Sequence, residues 1–320
     1  MLALRYANKA LSVADVAKPR DEGEAIVRVT LSGICNTDVE IALGYAGFQG
    51  TLGHEFVGVV ESVPPDFRDL TGRRVVGEIN AGCERCALCA VGDPRHCRQR
   101  TVLGIVNRDG AHAEFLRLPA INLLPVPDEI TDERAVFTEP LAAAIGITER
   151  VELTTETTLA VIGDGKLGLL CAQAIHALTG ARVALVGKHA EKLGIAGRRG
   201  IETVLLDEAS KRPRAFDVVV EASGAEEGFA LALDLLRPRG TLVLKSTFHG
   251  TTKMDSARIV VDEIAVVGSR CGRFAPALEL LKGDAVDVES LISEDYALRD
   301  GVRAMRRATE KGVIKILLKP

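Results

Sequence analysis

The sequence predicts an α/β protein of two domains, a β-rich one and a doubly wound parallel-sheet one placed before a C-terminal return to the first. Three textures along the chain predict this. Up to about residue 135, short β-like runs (EAIVRVTL, FVGVVESV, RRVVGEI, AEFLRLP) are separated by turn residues such as Gly53, Pro64, Pro65 and Gly72. From about 158, apolar strands alternate with helical stretches: TLAVIG, KLGLLCAQAIHAL, ARVALVG, HAEKLGIAGRRG, FDVVVEAS, GFALALDLL and GTLVLKS. Such alternation marks a parallel sheet with helices on both faces. After AVVGSR, helices and loops return. The expected boundaries are 1–140, 141–272 and 273–320.

Composition is that of a globular chain. It has 320 residues, 47% hydrophobic and 26% charged, and a net charge of −4 without a long run of either sign. Electrostatics therefore give no support to nucleic-acid or membrane-surface binding. No apolar run reaches the roughly 18 residues of a bilayer span, and MLALRYANKA lacks the apolar core of a signal peptide. A cytoplasmic location is the default expectation.

Four of the seven cysteines, Cys83, Cys86, Cys89 and Cys97, fall in fifteen residues with the spacing C-x2-C-x2-C-x7-C. Clustered thiols in a reducing compartment read as metal ligands, and four thiolates fill a tetrahedral structural zinc site. An iron–sulfur cluster is the competing reading. The lobe is expected to span about residues 80–100.

The turn Gly163-Asp164-Gly165-Lys166-Leu167-Gly168 follows a strand and opens an apolar-periodic helix. In that setting the glycines let a pyrophosphate approach the backbone at the helix N-terminus, so Gly163, Gly165, Lys166, Leu167 and Gly168 are assigned to a dinucleotide. Ser223, the last residue of FDVVVEAS, and Gly224 after it are assigned to it as well. The next strand ends in Gly187, Lys188 and His189, where an acid that binds the ribose hydroxyls of NAD is expected and none stands. Space at Gly187 and the charge of Lys188 favour a 2′-phosphate, and NADP is the expected cofactor, with NAD as the alternative.

Cys35, His54, Glu55 and Glu139 are further zinc-ligand types, each weak alone, since a small buried thiol or a satisfied core histidine is common. Taken in order, GICNTD, GHEFVGVVES, the cysteine lobe, DGAHAEFLRLPAINLLPVPD, TEPLAAAI and the glycine turn resemble the zinc-dependent medium-chain dehydrogenase/reductase family over nearly the whole chain. TEPL, with a glutamate, is closer to the polyol, threonine and glucose dehydrogenases than to those alcohol dehydrogenases that place a cysteine there.

The resemblance implies a GroES-like catalytic domain, a Rossmann domain and an open catalytic zinc site in the cleft between them. It makes Cys35 and His54 ligands and Glu55 and Glu139 third ligand or alternates. Thr37 becomes the hydroxyl that takes the alcohol proton and Asp38 the carboxylate that orients His54. Glu40 stands where many alcohol dehydrogenases have a relay histidine, which leaves the outer half of the proton path open. The implied activity is reversible hydride transfer between a small alcohol (a polyol, sugar or amino alcohol) and a nicotinamide. Two zinc ions per chain and a homodimer or homotetramer complete the expectation, with the apolar run EIAVVGS as a sheet edge or an internal strand. The rival readings are a zinc-free reductase of quinones or activated double bonds, and a non-catalytic zinc-lobe binding protein with a dinucleotide sensor.

Overall fold

The computed structural model describes residues 1–246 and 254–320. The chain forms two compact units, Met1–Glu139 with Leu291–Pro320, and Pro140–Ser290.

In the first unit the strands alternate buried and exposed residues or are buried on both faces, as sheet packing requires. Among the described residues a seven-stranded sheet runs Leu123–Pro125, Arg74–Gly77, Glu55–Ser62, Ala25–Gly33, Lys315–Lys319 and Ile292–Ala297, with Phe115–Leu118 also paired to Ala25–Gly33. All its pairs are antiparallel except Ile292–Ala297 with Lys315–Lys319. Register is what matters for the site: Gly33 lies opposite Glu55 on one side and Leu317 on the other. A side chain at Gly33 would come within 2.5 Å of the Glu55 carboxylate, so glycine leaves room for whatever those neighbours place there. A second cluster of buried residues, including Leu4, Ile34, Ile41, Leu52 and Leu318, packs beneath the short helix Asn36–Ala42.

The second unit is a six-stranded, all-parallel sheet in the order Glu202–Leu205, Arg182–Gly187, Thr158–Ile162, Phe216–Glu221, Leu236–Leu244 and Ala265–Gly268. Ala160, Ile162, Val186, Val219 and Leu242 are buried from these strands, with Phe229 and Leu233 from a covering helix. The order reverses beside Thr158–Ile162, the switch point at which such sheets bind ligands. The run EIAVVGS contains one of the sheet's two edge strands among the described residues, the other being Glu202–Leu205, and Val266 is 37% exposed.

The second unit runs to Ser290. The helix Phe274–Lys282 belongs to it, and the following loop is fixed to the helix Lys166–Thr179 through Gln173, whose amide donates to the Asp287 carbonyl (3.4 Å) and accepts from the Asp287 N–H (2.7 Å). Such pairing leaves no trace in apolar periodicity.

Candidate active site and metal centres

Cys35 is the N-terminal cap residue of the helix Asn36–Ala42, with extended backbone angles of −97° and 158°. His54 and Glu55 lie where the loop from Thr51 enters the strand Glu55–Ser62. One ligand atom from each of Cys35, His54 and Glu55 lies within 4.8 Å of the others. Cys35 is half-buried, while His54 is 3% exposed and Glu55 fully buried.

Asp38 ties these loops together. It is fully buried, its Oδ2 accepts from the Cys35 N–H (2.8 Å), and its Oδ1 accepts from the Gly53 N–H (3.1 Å). The same carboxylate lies 3.5 Å from His54 Nδ1 and 3.4 Å from His112 Nε2, and the other His112 nitrogen is 2.9 Å from Ser32 Oγ. Burial pushes the Asp38 carboxyl up, but the two imidazoles outweigh it and hold the group well below the usual carboxylate range. For His54, burial acts downward and Asp38 and Cys35 act upward, and they raise it well above its ordinary value. The pocket is thus a place that favours positive charge.

His112 escaped the sequence reading although it lies within the DGAHAEF segment. Its place is cut by Gly53, whose φ is +97° and where a Cβ would sit 2.6 Å from the His112 ring. Lys315 was missed too. It is fully buried, forms an ion pair with Glu55, and lies 3.4 Å from the Ile34 carbonyl and 5.4 Å from the centre of the Phe137 ring.

One Glu55 oxygen, Oε2, faces Lys315; the other, Oε1, is buried without a hydrogen-bond partner, as is His54 Nδ1. An orphaned carboxylate oxygen beside a thiol and an imidazole suits zinc, which accepts S, N and O donors in one shell. Thr37 Oγ1 lies 3.7 Å from Cys35 Sγ and is half-buried. Glu139, in the first turn of the helix Thr138–Ile145, is half-buried and outside this group of mutually close atoms. Glu40 is half-buried on the same helix as Asp38.

Cys83, Cys86, Cys89 and Cys97 form the second group, with all four sulfurs within 4.8 Å of one another and Cys97 buried. Thiolates about 2.3 Å from a tetrahedral zinc stand about 3.8 Å apart, and Cys86 Sγ and Cys89 Sγ are 3.6 Å apart. That spacing encloses one ion; a cluster would spread its thiolates over separate irons. The Arg85 backbone N–H, with smaller help from Cys97 and Cys86, pulls the Cys83 thiol down to about 6 against the opposing effect of burial.

In the second unit, Gly163 (φ +121°) and Gly168 make the turn: a Cβ on Gly168 would sit 1.9 Å from the Gly163 carbonyl oxygen. Gly165 caps the helix Lys166–Thr179, bringing Gly163, Gly165, Lys166, Leu167 and Gly168 around one helix N-terminus. Ser223 follows the strand Phe216–Glu221, its N–H and hydroxyl both donating to Glu221, and the Gly224 N–H donates to Ser246 Oγ (2.8 Å). Gly187 is buried, and Lys188 and His189 are exposed. Asp164, to which the sequence reading gave no role, reaches across to them: its Oδ2 accepts from the Lys188 and His189 N–H groups, both at 2.7 Å.

Fold and pockets together define a class, the metal-dependent oxidoreductases that work with a dinucleotide. Residues 21–128 match the alcohol dehydrogenase GroES-like domain and residues 167–283 the zinc-binding dehydrogenase domain. The sorbitol dehydrogenase of Halalkalibacterium halodurans is 29% identical over 92% of this chain and 91% of its own. Two solved structures superpose with TM-scores of 0.89 over 100% of this chain and 99% of theirs: a zinc-binding dehydrogenase of Sinorhizobium meliloti 1021 bound to NADP, 27% identical, and an alcohol dehydrogenase of E. coli CFT073 complexed with NADH, 25% identical. The chain belongs to the zinc-dependent medium-chain dehydrogenase family, whose cofactors are zinc and a nicotinamide dinucleotide.

Proposed function

We propose that this protein interconverts a small polyol or related hydroxylated molecule and its carbonyl form, using two zinc ions per chain, one catalytic and one structural. The observation that carries the reading is the assembly of Cys35, His54 and Glu55 from separate parts of the fold into one pocket around a buried, partnerless carboxylate oxygen. A zinc-free reductase has no use for that assembly. When bound, zinc lowers the pKa of an alcohol and the nicotinamide takes hydride from its carbon.

The chain supplies the rest. Cys35, His54 and Glu55 hold the metal, with Glu139, in the first turn of the helix Thr138–Ile145, as the alternate carboxylate. Asp38, 3.5 Å from His54 Nδ1, is the carboxylate placed to orient the His54 ring toward the metal. Thr37, beside Cys35, accepts the hydroxyl proton of the substrate and releases its own toward solvent. Lys315 offsets the charge of Glu55, so the pocket does not collect an unbalanced negative charge from thiolate and carboxylate together. A carboxylate among the ligands makes the site harder than a two-thiolate one and suits a substrate with a second oxygen, in line with the sorbitol named for the bacterial relative. For the cofactor, Lys188 beside Gly187 favours NADP, whereas the carboxylate of Asp164 favours NAD.

The seven free thiols suit a reducing, cytoplasmic setting. The exposed apolar edge strand Ala265–Gly268 supports assembly into a homodimer or homotetramer, which light scattering of the purified protein tests.

Metal analysis together with a panel of polyols, sugars, amino alcohols and simple alcohols, followed by the absorbance of the reduced cofactor, tests the whole reading. Two zinc ions per chain and turnover of a polyol are expected, with Cys35→Ala retaining one zinc and no turnover. Full turnover by Cys35→Ala would refute the catalytic assignment.

A further inference from the structure

The strand Arg182–Gly187 ends without an acid, yet an acid stands there. A Cβ built on Gly187 would meet the Asp164 side chain, with Cβ at 2.5 Å, Oδ2 at 2.7 Å and Cγ at 2.8 Å. Asp164 therefore occupies the space that a side chain at position 187 would fill. The glycine at 187 and the aspartate at 164 are complementary: each needs the other's choice.

Its carboxylate is also tightly held. Oδ2 accepts from the backbone N–H groups of Lys188 and His189, both at 2.7 Å, and lies 3.0 Å from His189 Nδ1. The side chain is 13% exposed, while the His189 side chain beside it is 55% exposed. Burial pushes the carboxyl up, but the His189 and Lys188 hydrogen bonds outweigh it and keep the group below its ordinary value, hence ionised near neutral pH.

We infer that Asp164, supplied by the glycine turn, takes over the role of the missing acid at the end of this strand: it accepts the adenosine ribose hydroxyls and selects NAD over NADP. Two features lead there. The backbone donors at Lys188 and His189 are the groups a 2′-phosphate would seek at this strand end, and an internal carboxylate already holds both. A phosphate approaching them would face a fixed like charge, whereas a ribose hydroxyl finds an acceptor in Oδ1. Lys188 and His189 are then the frame of the carboxylate rather than the receptor of a phosphate. The sequence expectation of NADP rested on the absence of an acid from positions 187–189, and the acid comes from 23 positions before Gly187.

The inference rests on the dinucleotide reading of the second unit, and its test separates the two. Binding of NAD⁺ and NADP⁺ to the zinc-loaded protein is measured by titration calorimetry without substrate, for wild type, Asp164→Asn and Asp164→Ser. Wild type is expected to bind NAD⁺ more tightly by about tenfold or more, and both variants to shift the ratio toward NADP⁺ by about tenfold. Asp164→Asn keeps the shape and an acceptor for the backbone N–H groups, so it guards against a merely misfolded serine variant. Tighter binding of NADP⁺ by wild type overturns the inference. So does an unchanged ratio with both affinities lowered together, the signature of a carboxylate that only braces the loop. Binding of neither nucleotide overturns the dinucleotide reading as well.

Discussion

Replacing Lys315 by methionine probes the metal pocket through a residue far from it in sequence. Lys315 Nζ is fully enclosed, with the Glu55 carboxylate as its charged partner and the Ile34 carbonyl and Phe137 ring beside it. Methionine keeps most of the apolar stem, so the change isolates the charge. What remains is a carboxylate, fully buried, with neither oxygen partnered, since Oε1 has no partner to begin with. Removing one member of a buried pair costs about 3–5 kcal/mol. At about 2–4 °C per kcal/mol for a unit of this size, the melting transition of the first unit falls by roughly 6–20 °C.

Calorimetry on protein whose Glu55 pocket holds no zinc measures the fall, with the zinc of the cysteine lobe matched between variants because metal loss lowers stability by mass action. Glu55→Gln strands the ammonium in the same way, whereas the double variant Lys315→Met/Glu55→Gln removes both charges. The double variant is therefore expected to regain stability, with a coupling of at least about 2 kcal/mol. A cost below about 1 kcal/mol for Lys315→Met, or a double variant that loses the sum of the two singles, would refute the reasoning.

The remaining predictions concern a carboxylate and a glycine. Asp217 accepts from the Thr158 N–H and hydroxyl, both at 2.7 Å, and faces Arg237 Nε at 2.6 Å; burial pushes its carboxyl up, but these partners outweigh it and lower it. The folded value lies below the unfolded one of about 3.9, so the stabilisation is fully present above that pH and is lost as pH falls through the folded value. Asp217→Asn is expected to cost about 1–2 kcal/mol in denaturant titrations at pH 7 and to approach zero cost toward pH 2; a cost equal at both pH values contradicts this. Gly53→Ala forces a Cβ into the His112 ring at φ +97°. It should lower stability by about 1–3 kcal/mol and reduce catalytic-site zinc, and a variant with unchanged melting and two zinc ions would show that the His112–Asp38 arrangement yields easily.

Much of this was legible in the sequence because the signals are local. Four cysteines at short spacing, a glycine turn between strand and helix, and strand texture changing to strand–helix alternation each need only neighbouring residues. What escaped depends on long-range placement. Lys315 sits in VIKILLKP, a plain strand pattern, and nothing there announces that a residue 260 positions away holds its charge. His112 lies in a motif that identified the family but carries its role through Asp38 and Ser32. Asp164 occupies a variable position of the G-x-G-x-x-G pattern, so the pattern gave it no weight; only the geometry at Gly187 shows why an aspartate matters there. The exchange between Gln173 and Asp287, which ties the loop after the helix Phe274–Lys282 to the helix Lys166–Thr179, is likewise long-range.

The strand Lys315–Lys319 completes the first unit after Pro140–Ser290 have been made. On the ribosome, the second unit is a continuous stretch whose sheet has all its strands long before residue 315 is synthesised. Glu55 has no counter-charge during that time, and the strand Ala25–Gly33 lacks one of its neighbours. The metal pocket is thus the part of the molecule completed late, and the sequence order separates two events in time: a nucleotide unit made as one continuous stretch first, and a reaction centre closed only by the arrival of a distant lysine.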